Sequence, residues 1–220
     1  MKITAWIGAA LAFCSGTARA EQQTLPDRNP VLLIHGIADN ERNMRWLAAH
    51  LRREGWDVRT LSLTPNWAQG GLEPLAAQID GYAREQFGMR KFDLVGFSMG
   101  GLVSRYYVQR LGGLQHVEHL VTLSAPHHGT ALASWSHLIP NLGCQQMKPG
   151  SPFLCDLEQD ADRLRRIKFT SVYSPFDFVI LPARSSVMPQ AQNVRLPVLL
   201  HPLMILDKRS LRAVADALRA

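Results

Sequence analysis

Apolar residues along this 220-residue chain follow two rhythms in turn, short unbroken runs and stretches at helical spacing. Pro30-Val-Leu-Leu-Ile34 is uninterrupted, as a strand covered on both faces requires. Met44, Leu47, Ala48 and Leu51 then fall at i, i+3, i+4 and i+7 with Gly55 as a stop, predicting an amphipathic helix over about 41–54. A strand over 56–63, a helix carried by Leu72, Leu75, Ala76 and Ile79 that ends near Gly88, and a strand from Phe92 follow. The alternation continues with a helix over 99–111 stopped by Gly112-Gly113, strands over 117–124, 169–174 and 194–200, and a closing helix marked by Leu211, Val214, Ala215 and Leu218. Such alternation predicts an α/β fold, a mostly parallel central sheet with helices on both faces. The stretch 127–156 is long and rich in Pro, Gly, Ser and polar residues, which predicts a functional loop or lid.

The first residues have a different character. Lys2, an apolar run over 3–13 and the small-residue ending Ala18-Arg19-Ala20 predict a signal peptide cleaved after Ala20, leaving one domain over 21–220 that is secreted or periplasmic. The run falls well short of the ~20 apolar residues of a membrane span. Bulky Phe13 before Cys14 argues against a lipoprotein signal. Cleavage removes Lys2 and Arg19 from a formal charge of +6, leaving a modest and scattered excess that does not point to nucleic acid. It also removes Cys14, so Cys144 and Cys155 remain as an even pair. In an exported protein this predicts a disulfide worth roughly 3 kcal/mol; without export, two free thiols are the alternative.

The chemistry is concentrated at Gly96-Phe-Ser-Met-Gly-Gly101. A Gly-x-Ser-x-Gly turn between a strand and a helix is a nucleophile elbow, with glycines where a Cβ would crowd the bend, and it presents Ser98 above the sheet. A serine hydroxyl needs a base to take its proton and a carboxylate to orient that base. With an elbow of this kind these follow in the order Ser, Asp/Glu, His. Of the histidines after Ser98, His201 alone sits near the chain end behind a strand-end acid. Asp177, in Tyr173-Ser-Pro-Phe-Asp177, is that acid, whereas the acids over 156–162 read as N-terminal helix charge and solvation. The oxyanion donors are then the N–H groups of Met99, after the nucleophile, and Ile37, where Gly36 lets the first-strand loop approach. His35 reads as a histidine holding that loop.

Val31-Leu-Leu-Ile-His-Gly-Ile37, the Ser98 elbow, Thr170-Ser-Val-Tyr-Ser-Pro-Phe-Asp177 and the late His201 together resemble the small secreted bacterial triacylglycerol lipases of the α/β-hydrolase superfamily. The resemblance covers nearly all of 21–220. It implies a compact α/β-hydrolase fold, Ser98, Asp177 and His201 as triad, and Ile37 and Met99 as oxyanion positions. It also makes His127 and His128, in Pro126-His-His-Gly-Thr130, site-shaping residues; a two-histidine metal site is the alternative, without an evident third ligand. The sequence departs from the family at Leu200-His201-Pro202, where relatives commonly carry glycine before the histidine. Some relatives bind a structural calcium through paired aspartates near the histidine loop; here Asp207 has no partner in sequence, so neither a metal nor another cofactor is expected.

The function this implies is a serine carboxylester hydrolase, a lipase acting through an acyl-enzyme, with an acyl ester or lipid as substrate and transient contact with a lipid surface. Leu132, Trp135, Leu138, Ile139, Leu142, Met147, Phe153 and Leu154 would supply an acyl-binding wall or lid, or a packed satellite core. A short-chain esterase or an acyl thioesterase shares the same chemistry, and a non-catalytic lipid-binding protein shares the fold. Oligomeric state is not legible from the sequence.

Overall fold

Six parallel strands form the centre of the computed structural model, which describes residues 28–138 and 141–220. The strands are β1 (Val31–Ile34), β2 (Val58–Leu61), β3 (Phe92–Phe97), β4 (Val117–Leu123), β5 (Lys168–Tyr173) and β6 (Gln192–Arg195), in the spatial order β2-β1-β3-β4-β5-β6. The mostly parallel sheet expected from the sequence is therefore parallel throughout. The predicted signal peptide over 1–20 lies outside the described residues.

Helices α1 (Arg45–Arg53), α2 (Glu73–Phe87), α3 (Met99–Arg110) and α6 (Lys208–Ala217) cover the sheet at nearly the predicted places, with a 3-10 turn over Glu41–Met44 leading into α1. Strand periodicity decides which face each residue serves. Leu32, Ile34, Leu94 and Leu120 pack toward α2 and α3, whereas Val31, Leu33, Val95, Val121 and Val172 pack toward α1 and α6. Both faces are dry, which is why β1 and β3 are buried at every position. The chain order reverses at β1 and β3, and in open parallel sheets ligands bind at the carboxyl ends of strands where this happens.

Three expectations are corrected. The last strand runs over Gln192–Arg195 and not over 194–200; pairing ends where Leu196 N–H donates to Tyr173 O at 2.9 Å, because Pro175 has no N–H to offer Leu196 O and the Val198 N–H turns back to Leu196 O at 3.0 Å. The stretch 127–156 is largely helical, with 3-10 turns over Ala131–Leu138, α4 (Leu142–Gln146) and the start of α5 (Pro152–Gln159). Phe153, Leu154 and Leu157 of α5 and Met147 beside α4 join the main core. The acids over 156–162 are not all charge at a helix N-terminus: Asp156 and Glu158 lie in the second half of α5, Asp156 and Asp160 both hold Arg110 of α3, and Glu158 meets Arg105 at 3.1 Å.

The bridge expected between Cys144 and Cys155 is not formed, and both are free thiols. Cys144 is half-buried on α4 against an open apolar cavity, while Cys155 is exposed on α5 with its thiol toward Gly150 O at 3.6 Å. A disulfide requires the two Cβ vectors to face one another, and these side chains serve different surfaces.

Candidate active site

β3 delivers its chain directly into α3 through Ser98, whose φ of 52° and ψ of −123° are rare for a residue with a side chain. Two glycines make the bend possible. A Cβ on Gly96 would lie 2.6 Å from Gly100 O, and one on Gly100 would lie 2.4 Å from His35 O. The surroundings hold the strained serine, its N–H donating to Leu123 O at 2.8 Å.

The loop after β1 approaches the serine from the neighbouring strand. A Cβ on Gly36 would come within 3.2 Å of the Ser98 Cβ and the Phe97 ring, a tight contact that would push them apart by a few tenths of an ångström. Fully buried His35 accepts the Leu63 N–H on Nε2 at 2.8 Å, which leaves the proton on Nδ1, and Nδ1 donates to Gly36 O at 2.7 Å. That bond fixes the Gly36–Ile37 peptide plane. In a trans peptide the N–H points opposite to the C=O, so the Ile37 N–H is aimed away from His35. The N–H groups of Ile37 and Met99 make no hydrogen bond among the described residues.

Asp177 follows β5 and His201 follows β6, on adjacent strands. His201 Nδ1 lies 2.7 Å from Asp177 Oδ2, and both side chains are buried. The other carboxylate oxygen, Oδ1, accepts the N–H groups of Val179 and Ile180 at 2.9 and 3.0 Å. Burial pushes the Asp177 carboxyl up, but the His201 bond and charge with the two backbone donors outweigh it and hold it below the usual carboxylate range. The bulk of Leu200-His201-Pro202 is accommodated because Leu200 is extended, at φ −130° and ψ 140°, with its side chain exposed, a conformation that needs no glycine.

Two cavities open beside Ser98. One, of about 400 Å³, is bounded by Phe97, His201, Asp39, Arg45 and Trp46; the other, of about 280 Å³, by Trp67, Leu132, Cys144, Met147 and Ile180. Ile37, Ser98 and Val179 belong to both. No direct hydrogen bond joins Ser98 to His201 in this structure, although they share one cavity wall.

His127 and His128 line neither cavity; Pro126 and Thr130 of the same motif line the smaller one. His127 is buried, with Nε2 2.9 Å from Thr122 Oγ1 and its ring edge-on to Phe169. Burial, followed by the charges of Arg105 and His128, holds its pKa well below the ordinary histidine value, so it is neutral. His128 Nδ1 faces Ser185 O at 3.1 Å. Both histidines brace the turn from behind.

Sequence reasoning missed the residues that hold the loops together. Thr130 Oγ1 donates to Val179 O at 2.6 Å and accepts the Leu181 N–H at 2.9 Å, and Ser174 Oγ donates to Val198 O at 2.5 Å, tying the Asp177 loop to the chain before His201. Phe97 supports the His201 ring at 4.8 Å between centroids. A lone Ser or Thr in a loop carries no sequence signal for such a bond. Asp207 is the N-cap of α6 and pairs with Arg209, which together hold its pKa at about 2. Among the described residues no group of three or more His, Cys, Asp or Glu could hold a metal ion.

Known proteins share this arrangement of the chain. A triacylglycerol lipase of Pseudarthrobacter phenanthrenivorans is 28% identical over 117 residues, 49% of this chain and 36% of that protein. A triacylglycerol lipase of Burkholderia plantarii is 28% identical over the same length, 32% of its own. The chain thus matches about a third of the length of these relatives. Among solved structures, a mature Bacillus licheniformis lipase superimposes with a TM-score of 0.72 at 18% identity, covering 90% of this chain and 94% of that one. Lipase B of Aspergillus fumigatus gives 0.75 at 17% identity, covering 88% and 53%. At these identities the likeness is one of fold. The palmitoyl protein thioesterase family matches residues 30–177, from the start of β1 to Asp177; the chain belongs to that family and is an α/β-hydrolase related to the triacylglycerol lipases.

Proposed function

We propose that this protein is a serine acyl hydrolase that cleaves fatty-acyl esters through an acyl-enzyme on Ser98, with His201 as general base and acid and Asp177 as its orienting carboxylate. The observation that carries the reading is the buried 2.7 Å contact between Asp177 and His201 beside a cavity shared with a strained serine. Ser98 Oγ attacks the acyl carbon as its proton passes to His201 Nε2, the nitrogen left over by the Asp177 bond. The free N–H groups of Ile37 and Met99 are the donors available to the oxyanion. Collapse of the intermediate breaks the bond to the leaving atom, which takes the proton from His201; water then repeats the sequence and releases the acid.

The lipase-like relatives support an oxygen ester and the family supports a thioester; the same residues serve both, because the leaving atom alone differs. Exposed Phe176, Phe178, Leu199, Leu200 and Leu203 flank Asp177 and His201, which supports transient contact with a lipid surface. The N-terminal pattern over 1–20 supports export and cleavage after Ala20, which N-terminal sequencing of the processed protein tests.

The deciding experiment is hydrolysis of p-nitrophenyl esters and acyl-coenzyme A thioesters by the wild type beside Ser98→Ala. Turnover that vanishes in the variant supports the assignment. Turnover that persists removes it. The ratio of oxygen-ester to thioester rates names the substrate class.

A further inference from the structure

The two cavities that meet at Ser98 differ in chemistry, and the difference assigns them. In the acyl transfer the Ser98 Oγ bonds to the acyl carbon while the bond to the leaving oxygen or sulfur breaks, and the leaving atom must collect its proton from His201. A general acid has to lie within hydrogen-bond reach of the atom it protonates. His201 lines the larger cavity and not the smaller one. The larger cavity also carries Asp39, Asn43 and Arg45 among Trp46, Phe97, Ile205 and Leu206, so a leaving portion with polar groups finds partners there that the smaller cavity lacks. The smaller is walled by Leu132, Ala133, Met147 and Ile180, with Cys144 among them, and offers apolar burial to a hydrocarbon chain.

Its wall is tied down. Asn141 Nδ2 donates to Trp67 O at 2.5 Å, and Gly143 N–H donates to Ala68 O at 3.0 Å. Gln146 accepts the Leu72 N–H at 2.7 Å and donates to the Glu73 carboxylate at 2.7 and 2.6 Å. Thr130 N–H donates to Met147 O at 2.9 Å. The packing leaves no slack either, since a Cβ on Gly143 would sit 2.4 Å from the Ala68 Cβ. The α4 side of the cavity is therefore already in place before substrate arrives.

Taking Ser98 as the nucleophile, as the proposed function does, we propose that the smaller cavity is the acyl site, that the larger one receives the leaving group, and that Cys144 and Met147 on the clamped α4 segment set the longest acyl chain that gains from binding. Each methylene that enters gains about fourfold, and the gain stops where the chain meets these side chains or passes Leu132 and Trp67 into solvent.

The full chain is assayed with p-nitrophenyl acetate, butyrate, octanoate and palmitate below their solubility limits. The expected result is a kcat/KM that climbs from acetate and then levels, with an octanoate-to-acetate ratio at least tenfold lower in Cys144→Phe and a plateau moved to longer chains in Met147→Ala. Methanethiosulfonate labelling of Cys144 on folded enzyme carrying Cys14→Ser and Cys155→Ser gives the same loss of ratio without requiring the larger side chain to fold. Ratios that stay constant in both the labelled and the substituted enzymes overturn the assignment, as does a rate that appears only above the solubility limit. If Ser98→Ala remains active, the proposed function fails; if it is inactive and the ratios do not move, this inference alone fails.

Discussion

The Asp177 carboxylate meets the His201 ring at 2.7 Å across two loops that leave adjacent strands, β5 and β6. With Oδ2 held by His201 and Oδ1 by the N–H groups of Val179 and Ile180, the carboxylate is fixed at both ends. Asp177→Asn keeps the shape and removes the charge. A loss of about 10³–10⁴ in kcat with little change in KM is expected, measured by steady-state hydrolysis of a soluble ester. A loss below tenfold would show that the contact serves the fold and not the reaction.

His35 acts on the site through the peptide it pins. His35→Ala frees Gly36 O and leaves the Leu63 N–H without its acceptor. The expected effect is a fall in kcat of about tenfold to a hundredfold, the lower part of what an oxyanion donor is worth, with KM nearly constant. His35→Asn, whose amide still donates one hydrogen bond, should recover part of the rate. A fall in folded fraction with no change in kcat per folded molecule would make the residue purely structural.

Stability should titrate at both ends of the pH range. Burial lowers the pKa of His119, but the 2.7 Å bond to Asp93, the charge of Asp93 and the Ala220 carbonyl raise it overall above the ordinary value. A raised histidine contributes fully below its unfolded pKa of about 6.5, and the contribution is lost as pH rises through the folded value. Asp177 is lowered, so its contribution is present above about pH 3.9 and is lost as pH falls through its folded value. Urea midpoints should therefore decline on the alkaline side of about pH 6.5, and His119→Gln should flatten that limb while leaving the acid limb in place.

Arg105 is fully buried and binds Gln109 at 2.8 Å, His127 O at 3.1 Å, Leu157 O at 2.9 Å and Glu158 at 3.1 Å, joining α3 to α5 and to the turn below the smaller cavity. Removing one partner of a buried charged network leaves the others unpaired. Arg105→Met should cost about 3 kcal/mol, seen as a Tm lower by roughly 10 °C. A shift within about 2 °C would mean that water replaces the guanidinium without penalty.

The strand-to-helix turn at Ser98 was legible because it is local: strand, two glycines, serine and helix are consecutive, and each has a steric reason visible in the residue types. The α/β alternation was legible for a similar reason, since periodicity of 2 or 3.6 follows from backbone geometry. Element ends were less so. The last strand was misplaced because Val194 to Leu200 is largely apolar, whereas the ladder ends at Leu196, the Val198 N–H turns back to Leu196 O, and Val198 enters the core as Leu199 and Leu200 turn to solvent. The stretch 127–156 reads as a loop because its helices are short and punctuated by Gly and Pro, and their stability comes from Arg105, Gln109, Glu73 and the core against which they pack.

Residue order and local pattern were enough to specify the α/β alternation and the glycine-flanked turn at Ser98, because short-range sterics and hydrophobic periodicity are written into adjacent residues. Contacts between residues far apart were decided by the folded chain alone. The free state of Cys144 and Cys155, the bracing roles of His127 and His128, the grip of Thr130 and Ser174 on the Asp177 loop, and the division of the space around Ser98 into a larger cavity of mixed lining and a smaller, mostly apolar one all depend on where β1, β3, β5 and β6 end in space. Sheet register and the packing of α4 against residues 67–73 set those positions, and neither is a property of any segment by itself.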